Sequence, residues 1–270
     1  MSRWMNRNYL FASDGLKALQ DFVDPSTLFA FDLDGTLAPI VRDPDKIQVP
    51  QVVQQALAEL KTRAIVAIIT GRSRLDAQRH LAFIPHYLVG NHGAEGLSGC
   101  KHTEEESYRH SVRRWAEQLR SLLPENCSGI AVEDKGMSLS IHYRGATDRR
   151  TARSLVARAA RCLTPLPRIV GGKYVLNLLS PEAPDKGVAV HHIMALTGCA
   201  KVFFIGDDQT DEDVFRLGDD RIFSVRVGAE ELSGARFVLH GQKEVPLLLA
   251  RMNAIVKQKA EMEDGSRSFG

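Results

Sequence analysis

Short runs of uninterrupted apolar residues recur along the chain, each ending on a glycine or a polar side chain. Residues 28–31 run into Asp32, 64–69 into Thr70-Gly71, 87–89 into Gly90-Asn91, 202–205 into Gly206-Asp207, and 222–227 into Gly228. Continuous apolarity of strand length predicts strands buried on both faces, as in a parallel sheet clad by helices. Helix-compatible stretches lie between or beside them at 15–22, 52–61, 74–81, 187–196, 211–217 and 244–259. This alternation predicts an α/β fold, a doubly wound Rossmann-like parallel sheet. Ligands bind such sheets at the carboxyl ends of the strands, where the polar residues stand here.

The middle of the chain follows another rhythm. A helix is predicted over 107–123, strands over 129–133 and 137–143, a helix over 148–163 and a strand over 173–179. The alternation Ser138-Leu139-Ser140-Ile141-His142-Tyr143 predicts an antiparallel sheet with one solvated face. An α+β unit over 102–181 is therefore expected inside a discontinuous core made of 1–101 and 182–270. The full length of 270 residues suits two domains of roughly 150 residues or less.

Composition narrows the function by exclusion. Lys+Arg 35 against Asp+Glu 33 leaves a net charge of +2, without the basic excess of a dedicated nucleic-acid binder. No apolar run reaches membrane-spanning length, and the basic residues near the N-terminus precede no signal-like apolar stretch. Cys100, Cys127, Cys162 and Cys199 are far apart and form no CxxC pair. They read as scattered buried thiols in a reducing compartment, and the cytoplasm is the expected location. A monomer is expected.

The sharpest chemical signal is Asp32-Leu33-Asp34-Gly35-Thr36-Leu37, directly after a buried strand. Residues two apart in extended backbone face the same way, so both carboxylates project toward one spot. Two buried carboxylates that close repel unless a cation intervenes, and magnesium suits a site that must also admit phosphate and water. The plain alternative is an Asp-Gly turn closing a strand. Gly206-Asp207-Asp208-Gln209-Thr210-Asp211 caps a second strand. A helix-capping role accounts for Asp211 to Asp213 but leaves Asp207 and Asp208 without partners, which favours metal binding. Thr70-Gly71-Arg72-Ser73 offers a hydroxyl and free backbone N–H groups at a strand-to-helix turn, where a phosphoryl oxygen could sit, although Thr-Gly is also an ordinary turn. Lys186 opens a helix against its macrodipole, which suggests a task beyond helix formation.

These parts describe phosphoryl transfer to a carboxylate. Asp32 would attack phosphorus, Asp34 would serve as acid and then base, and Mg²⁺, Lys186 and Thr70 would hold the phosphoryl charge. On the insert, Glu133, Lys135, His142 and Arg144 put charged groups on or beside one small sheet, where they could read a leaving group; a solvated sheet face is the alternative. His92 follows a glycine turn and could line the mouth of the site. His191 and His192 point apart on a helix and read as structural.

The four core segments, in this order, resemble those of the haloacid-dehalogenase-like phosphatase superfamily. Gly90-Asn91-His92-Gly93-Ala94-Glu95, Val132-Glu133-Asp134-Lys135 and His142-Tyr143-Arg144 further resemble the trehalose-6-phosphate phosphatase family. The resemblance implies Asp32 as nucleophile, Asp34 as acid/base, and Thr70 and Lys186 as phosphate binders. It implies Asp207 as a metal ligand beside Asp32 and the backbone oxygen of Asp34, with Asp211 one shell further out and Asp208 in support. Gly71, Arg72, His92, Glu133 and Lys135 are expected to meet the substrate. The family pattern also carries a glutamate where this chain has Asn177, in Val175-Leu176-Asn177. The expected protein is thus a magnesium-dependent sugar-phosphate phosphatase with an α+β cap, acting foremost on trehalose 6-phosphate. A phosphatase for another glycosyl phosphate (of sucrose, glucosylglycerol or mannose) and a non-catalytic sugar-phosphate sensor are the alternatives.

Overall fold

In a computed structural model, the structure describes residues 8–41, 43–97, 102–123, 128–228 and 232–267. In chain order the main elements are α1 (Ser13–Phe22), β1 (Leu28–Phe31), α2 (Gln51–Lys61), β2 (Ile65–Ile69), α3 (Arg74–Arg79) and β3 (Tyr87–Val89). There follow α4 (His102–Leu122), β4 (Ala131–Asp134), β5 (Ser138–His142), α5 (Arg149–Arg161), β6 (Arg168–Gly172) and β7 (Val175–Leu179). The chain then runs through α6 (Lys186–Thr197), β8 (Val202–Gly206), α7 (Glu212–Phe215), β9 (Ile222–Val227), β10 (Phe237–Leu239) and α8 (Val245–Arg267).

The apolar runs form a six-stranded parallel sheet in the order β10-β9-β8-β1-β2-β3. Successive side chains point to opposite faces, so each apolar run feeds two cores. Phe29, Phe31, Phe203 and Ile205 pack with Leu19, Leu57 and Met252 of α1, α2 and α8. Leu28, Ala30, Val202 and Phe204 pack on the other side with Val190 and Ile193 of α6 and Val214 of α7. Strand order reverses around β1, the place where doubly wound sheets open a crevice. Phe31 pairs with Ile68 on one side and Ile205 on the other. Continuing that register sets Asp32 one residue short of both Thr70 and Asp207.

The second sheet is antiparallel, four-stranded, in the order β4-β5-β7-β6. Leu139, Ile141, Leu176 and Leu178 point to a core closed by Trp115 of α4 and Val156 of α5. The Trp115 indole N–H donates to the Pro165 carbonyl at 2.6 Å, so its polar end is satisfied in the core. The other face is not solvated as the alternation suggested. Ser138 and Ser140 are fully buried because that face lies on the parallel core. Ser138 Oγ donates to Asn91 Oδ1 across the seam at 2.5 Å.

Other departures have local causes. β6 was not expected: its short Arg168-Ile169-Val170-Gly171-Gly172 run carries two glycines, and β7 imposes the pairing. β10 has three residues, too few for a pattern. The helix expected over 211–217 is instead a 3-10 turn at Gln209–Asp211 followed by the single turn α7. Cys162 is exposed rather than buried, Cys199 is partly buried, and both are free thiols. Cys100 and Cys127 lie outside the described residues. Among the described residues, no helix is long and apolar enough to cross a membrane.

Candidate active site

Asp32 extends β1 by one ladder bond, its N–H donating to the Ile205 carbonyl at 2.9 Å. Its Oδ1 accepts from Lys186 Nζ at 2.7 Å, and the same ammonium donates to Asp211 Oδ1 at 2.7 Å. Lys186 is the first residue of α6 and is only 1% exposed. Its helix is capped by Asp185, whose side chain accepts from the Val188 N–H at 2.8 Å. Asp207, at the tip of β8, completes the group: Asp32, Asp207 and Asp211 each place one oxygen within 4.8 Å of the others. Asp207 Oδ1 is buried without a hydrogen-bond partner.

Three carboxylates crowd together beside one ammonium that bonds two of them, and the imbalance shows in the acidities of Asp32 and Asp207. Burial pushes Asp32 up to about 7; Lys186 pulls against this, while Asp211 and Asp34 add to it. Burial raises Asp207 to about 9, with repulsion from Asp32, Asp211 and Asp208 behind it. Burial would lower Lys186, but the Asp211 and Asp32 carboxylates overcome it and hold the ammonium charged. An orphaned buried carboxylate oxygen in a group of all-oxygen donors fits a hard divalent cation such as Mg²⁺. Two glycines permit the crowding. Gly35 has φ +83°, and a Cβ there would come 2.0 Å from Asp207 Oδ2. A Cβ on Gly206 would come 2.1 Å from Asp211 Cγ.

Asp34 turns away from this acid cluster. Arg72 Nε and Nη2 donate to its two oxygens at 2.7 Å each, a bidentate pair, and Arg72 Nη1 donates to Asp76 Oδ2 at 2.6 Å. The structure therefore directs Arg72 to carboxylates rather than toward a phosphate. Thr70 is buried at the tip of β2; its Oγ1 accepts from the Arg72 N–H at 3.2 Å, leaving its own proton to donate. The Gly71 carbonyl accepts from Lys135 Nζ at 3.3 Å. Asp208 lies one residue along: its N–H donates to Asp211 Oδ2 at 2.9 Å and burial raises its pKa.

The antiparallel sheet brings the remaining expected residues over the strand tips. Glu133 Oε2 lies 2.8 Å from His142 Nε2 and 3.8 Å from Lys135 Nζ. The His142 contact is the main cause that lowers the Glu133 pKa. Lys135 is depressed by burial. Asn177 is buried on β7 and accepts from Ser140 Oγ at 2.7 Å. His92 sits in a 3-10 turn where Asn91, His92 and Gly93 have φ of +48°, +60° and +118°, a strained run of left-handed residues. Its ring is buried with neither nitrogen in a well-aligned hydrogen bond, although the Asn177 side chain is close enough to act on it, and a Cβ on Gly71 would come 2.3 Å from its Cε1. Burial, then Lys135, Lys186 and Arg168, lower its pKa far enough to keep it neutral.

Two supports lie outside the motifs. Arg226 on β9 donates to the Asp207 carbonyl at 2.6 Å and to Glu212 Oε1 at 3.1 Å, bracing the β8 tip from behind. The signal was available: a charged residue inside the apolar run Ile222-Phe223-Ser224-Val225-Arg226-Val227 must find partners to be buried. Asn91 joins the two sheets by accepting from Ser138 and donating to the Lys135 carbonyl at 3.3 Å, and no local pattern marks it.

A parallel α/β core with acids on two strand tips, and an antiparallel unit laid over them, is the architecture of the haloacid-dehalogenase-like phosphatases. A solved trehalose-6-phosphate phosphatase related protein matches it at TM-score 0.70 and 25% identity, over 86% of this chain and 100% of that one. The C-terminal domain of C. albicans trehalose-6-phosphate phosphatase shares the fold at TM-score 0.68 and 20% identity, over 89% of this chain and 96% of that one. The chain belongs to the trehalose-phosphatase family, whose sequence model matches residues 30–236. It is 32% identical over 241 residues to a trehalose-6-phosphate phosphatase of Escherichia coli, covering 86% of this chain and 88% of that one. It is 28% identical over 198 residues to a trehalose-phosphate phosphatase of Mycolicibacterium paratuberculosis, covering 68% of this chain and 49% of that one. The chain spans about half the length of this and three other mycobacterial trehalose-phosphate phosphatases that it matches, 46–52%.

Proposed function

We propose that this chain is a Mg²⁺-dependent phosphatase that hydrolyses a sugar phosphate, trehalose 6-phosphate foremost, through an aspartyl-phosphate on Asp32. The observation that carries the reading is the convergence of Asp32, Asp207 and Asp211 about Lys186, with Asp207 Oδ1 unsatisfied. Asp32 and Asp207, with the backbone oxygen of Asp34 and with Asp211 behind or beside them, would hold the ion. Bound Mg²⁺ would supply positive charge to the acid cluster and to the phosphoryl oxygens.

Asp32 Oδ1 is tied to Lys186, so its other oxygen attacks phosphorus as the bond from phosphorus to the sugar oxygen breaks. Asp34 gives its proton to the departing sugar oxygen. Water then attacks phosphorus, Asp34 takes its proton, the bond to Asp32 breaks and phosphate leaves. Asp34 is clasped by Arg72 at both oxygens, so each proton transfer needs one arm of that fork to let go. Thr70 and Lys186 hold phosphoryl oxygens throughout. The antiparallel unit over 102–181 acts as the cap, and Glu133, Lys135, Asn177 and the neutral His92 face the leaving sugar.

Asn177 favours keeping a second glycosyl phosphate in view. A neutral amide exchanges a charge-assisted hydrogen bond of about 1.5–3 kcal/mol for an ordinary one of about 0.5–1.5 kcal/mol. Phosphate release from a panel of disaccharide and monosaccharide phosphates, with Mg²⁺ and with chelator, tests the reading. Turnover of trehalose 6-phosphate that is fastest in the panel and lost in chelator is expected. Chelator-insensitive turnover overturns the metal scheme, and no release from any phosphate ester overturns the enzyme.

A further inference from the structure

A cleft of about 750 Å³ opens between the α5 side of the antiparallel unit and the parallel core, beside the acid cluster. Six cationic side chains line it, Arg149, Arg150, Arg153, Lys173, Arg216 and Arg226, against two acids, Asp208 and Glu212. Glu212 is already engaged by Arg226 and Arg216, both at 3.1 Å, and by the Gly234 N–H at 2.8 Å. That leaves the lining with four more cations than acids, the excess lying on the side of α5 and the β6–β7 hairpin. Asp148, next in sequence to Arg149, is occupied in capping α5, accepting from the Arg150 and Thr151 N–H groups at 3.0 Å. No ion pair joins Arg150, Arg153 or Lys173 to an acid among the described residues.

Two of the arginines stand where helix electrostatics opposes them. Arg149 and Arg150 occupy the first turn of α5, at the positive end of its macrodipole. Part of the wall is held in place before any ligand arrives. Arg149 lies 4.7 Å over the Tyr174 ring and its Nε donates to the Arg144 carbonyl at 3.2 Å. Tyr174 in turn has φ +65° at the tip of the β6–β7 hairpin and meets Tyr143 edge-on at 6.3 Å.

The geometry points to a second anion site in this cleft, distinct from the acid cluster, that takes a chain of two or more phosphoryl groups. Arginine forks match phosphate oxygens bidentately. A single phosphate would meet a few of the unmatched cations and leave most of the cleft empty. Because α5 and the hairpin belong to one sheet unit and Arg216 to the other, an anion spanning them relieves repulsion across the gap and holds the two units together. The inference concerns binding and stands apart from the substrate proposed above.

Isothermal calorimetry with inorganic triphosphate, in buffer without divalent metal, tests it on the full chain. One anion per chain is expected, bound at least tenfold more tightly than orthophosphate. Affinity should fall tenfold or more in Arg150→Gln/Arg153→Gln, and again in Arg216→Gln. The control Arg158→Gln/Arg161→Gln removes the same charge from exposed positions at the far end of α5 and should bind as wild type. Unchanged binding in the cleft variants, or an equal loss in the control, overturns the site. Hydrogen exchange reads the bridging: triphosphate should slow amides of both 171–174 and 212–217, and protection on one side alone overturns the clasp.

Discussion

Asp32 and Asp34 are two residues apart, yet the structure gives them different company. Asp32 joins a buried acid cluster, while Asp34 is held by the guanidinium of Arg72. The proposed chemistry gives them different tasks, attack for Asp32 and proton transfer for Asp34, and Arg72 must loosen its hold before Asp34 can carry a proton. Asp32→Asn should lower turnover by about four orders of magnitude or more, the scale on which losing a nucleophile acts. It should leave the circular dichroism spectrum intact and should not lower the urea midpoint, because the amide keeps the shape and removes one of several crowded charges. Phosphate release at the wild-type rate would refute the assignment. Asn177→Glu tests the leaving-group side: it should alter the ranking among disaccharide phosphates far more than the rate on a small aryl phosphate. Equal effects on both would count against contact with the sugar.

Elements matter here mainly through their ends. β1, β2 and β8 finish level, so Asp32, Thr70 and Asp207 emerge side by side although they are far apart in sequence. The seam between the two sheets depends on polar side chains. Asn91 accepts from Ser138 at 2.5 Å and donates to Glu95 Oε2 at 2.8 Å. Asn91→Ala would strand the buried Ser138 hydroxyl, and a loss of about 2–3 kcal/mol is expected from urea unfolding. A change below ~0.5 kcal/mol would mean that water replaces the amide without cost. At this scale the helices and apolar strands were legible because burial on both faces leaves a continuous pattern. β6 and β10 were not, because pairing partners rather than their own residues make them strands. The polar alternation of β5 was read with the correct period but the wrong neighbour, since the face with Ser138 and Ser140 covers the site instead of meeting water.

Across the whole molecule, the acid cluster should make metal-free stability depend on pH. Asp32 and Asp207 have folded pKa values of about 7 and about 9, both above the unfolded value. Between the unfolded pKa near 3.8 and these values the folded state binds more protons, so its stability falls as pH rises. In chelator, the melting temperature is expected to decline from pH 5 to pH 9. Mg²⁺ should raise it more at pH 8 than at pH 6, because protons compete with the ion for the same oxygens. A chelated protein whose stability is flat or rising over that range would contradict the crowding.

By itself, the sequence determined the strand and helix alternation, the inserted antiparallel unit and the residue types of the strand tips. Each of these is written locally, as apolar periodicity or as acids directly after an apolar run. Which acids converge in one cluster was decided by strand order and register, and no local pattern encodes those. The same holds for Arg72, which meets Asp34 only when β1 and β2 lie side by side, and for the arginine cleft, whose charges come from segments some 70 residues apart, 149–153 and 216–226. Long-range pairing sets those distances, because electrostatic strength depends on separation in space and burial rather than on separation along the chain.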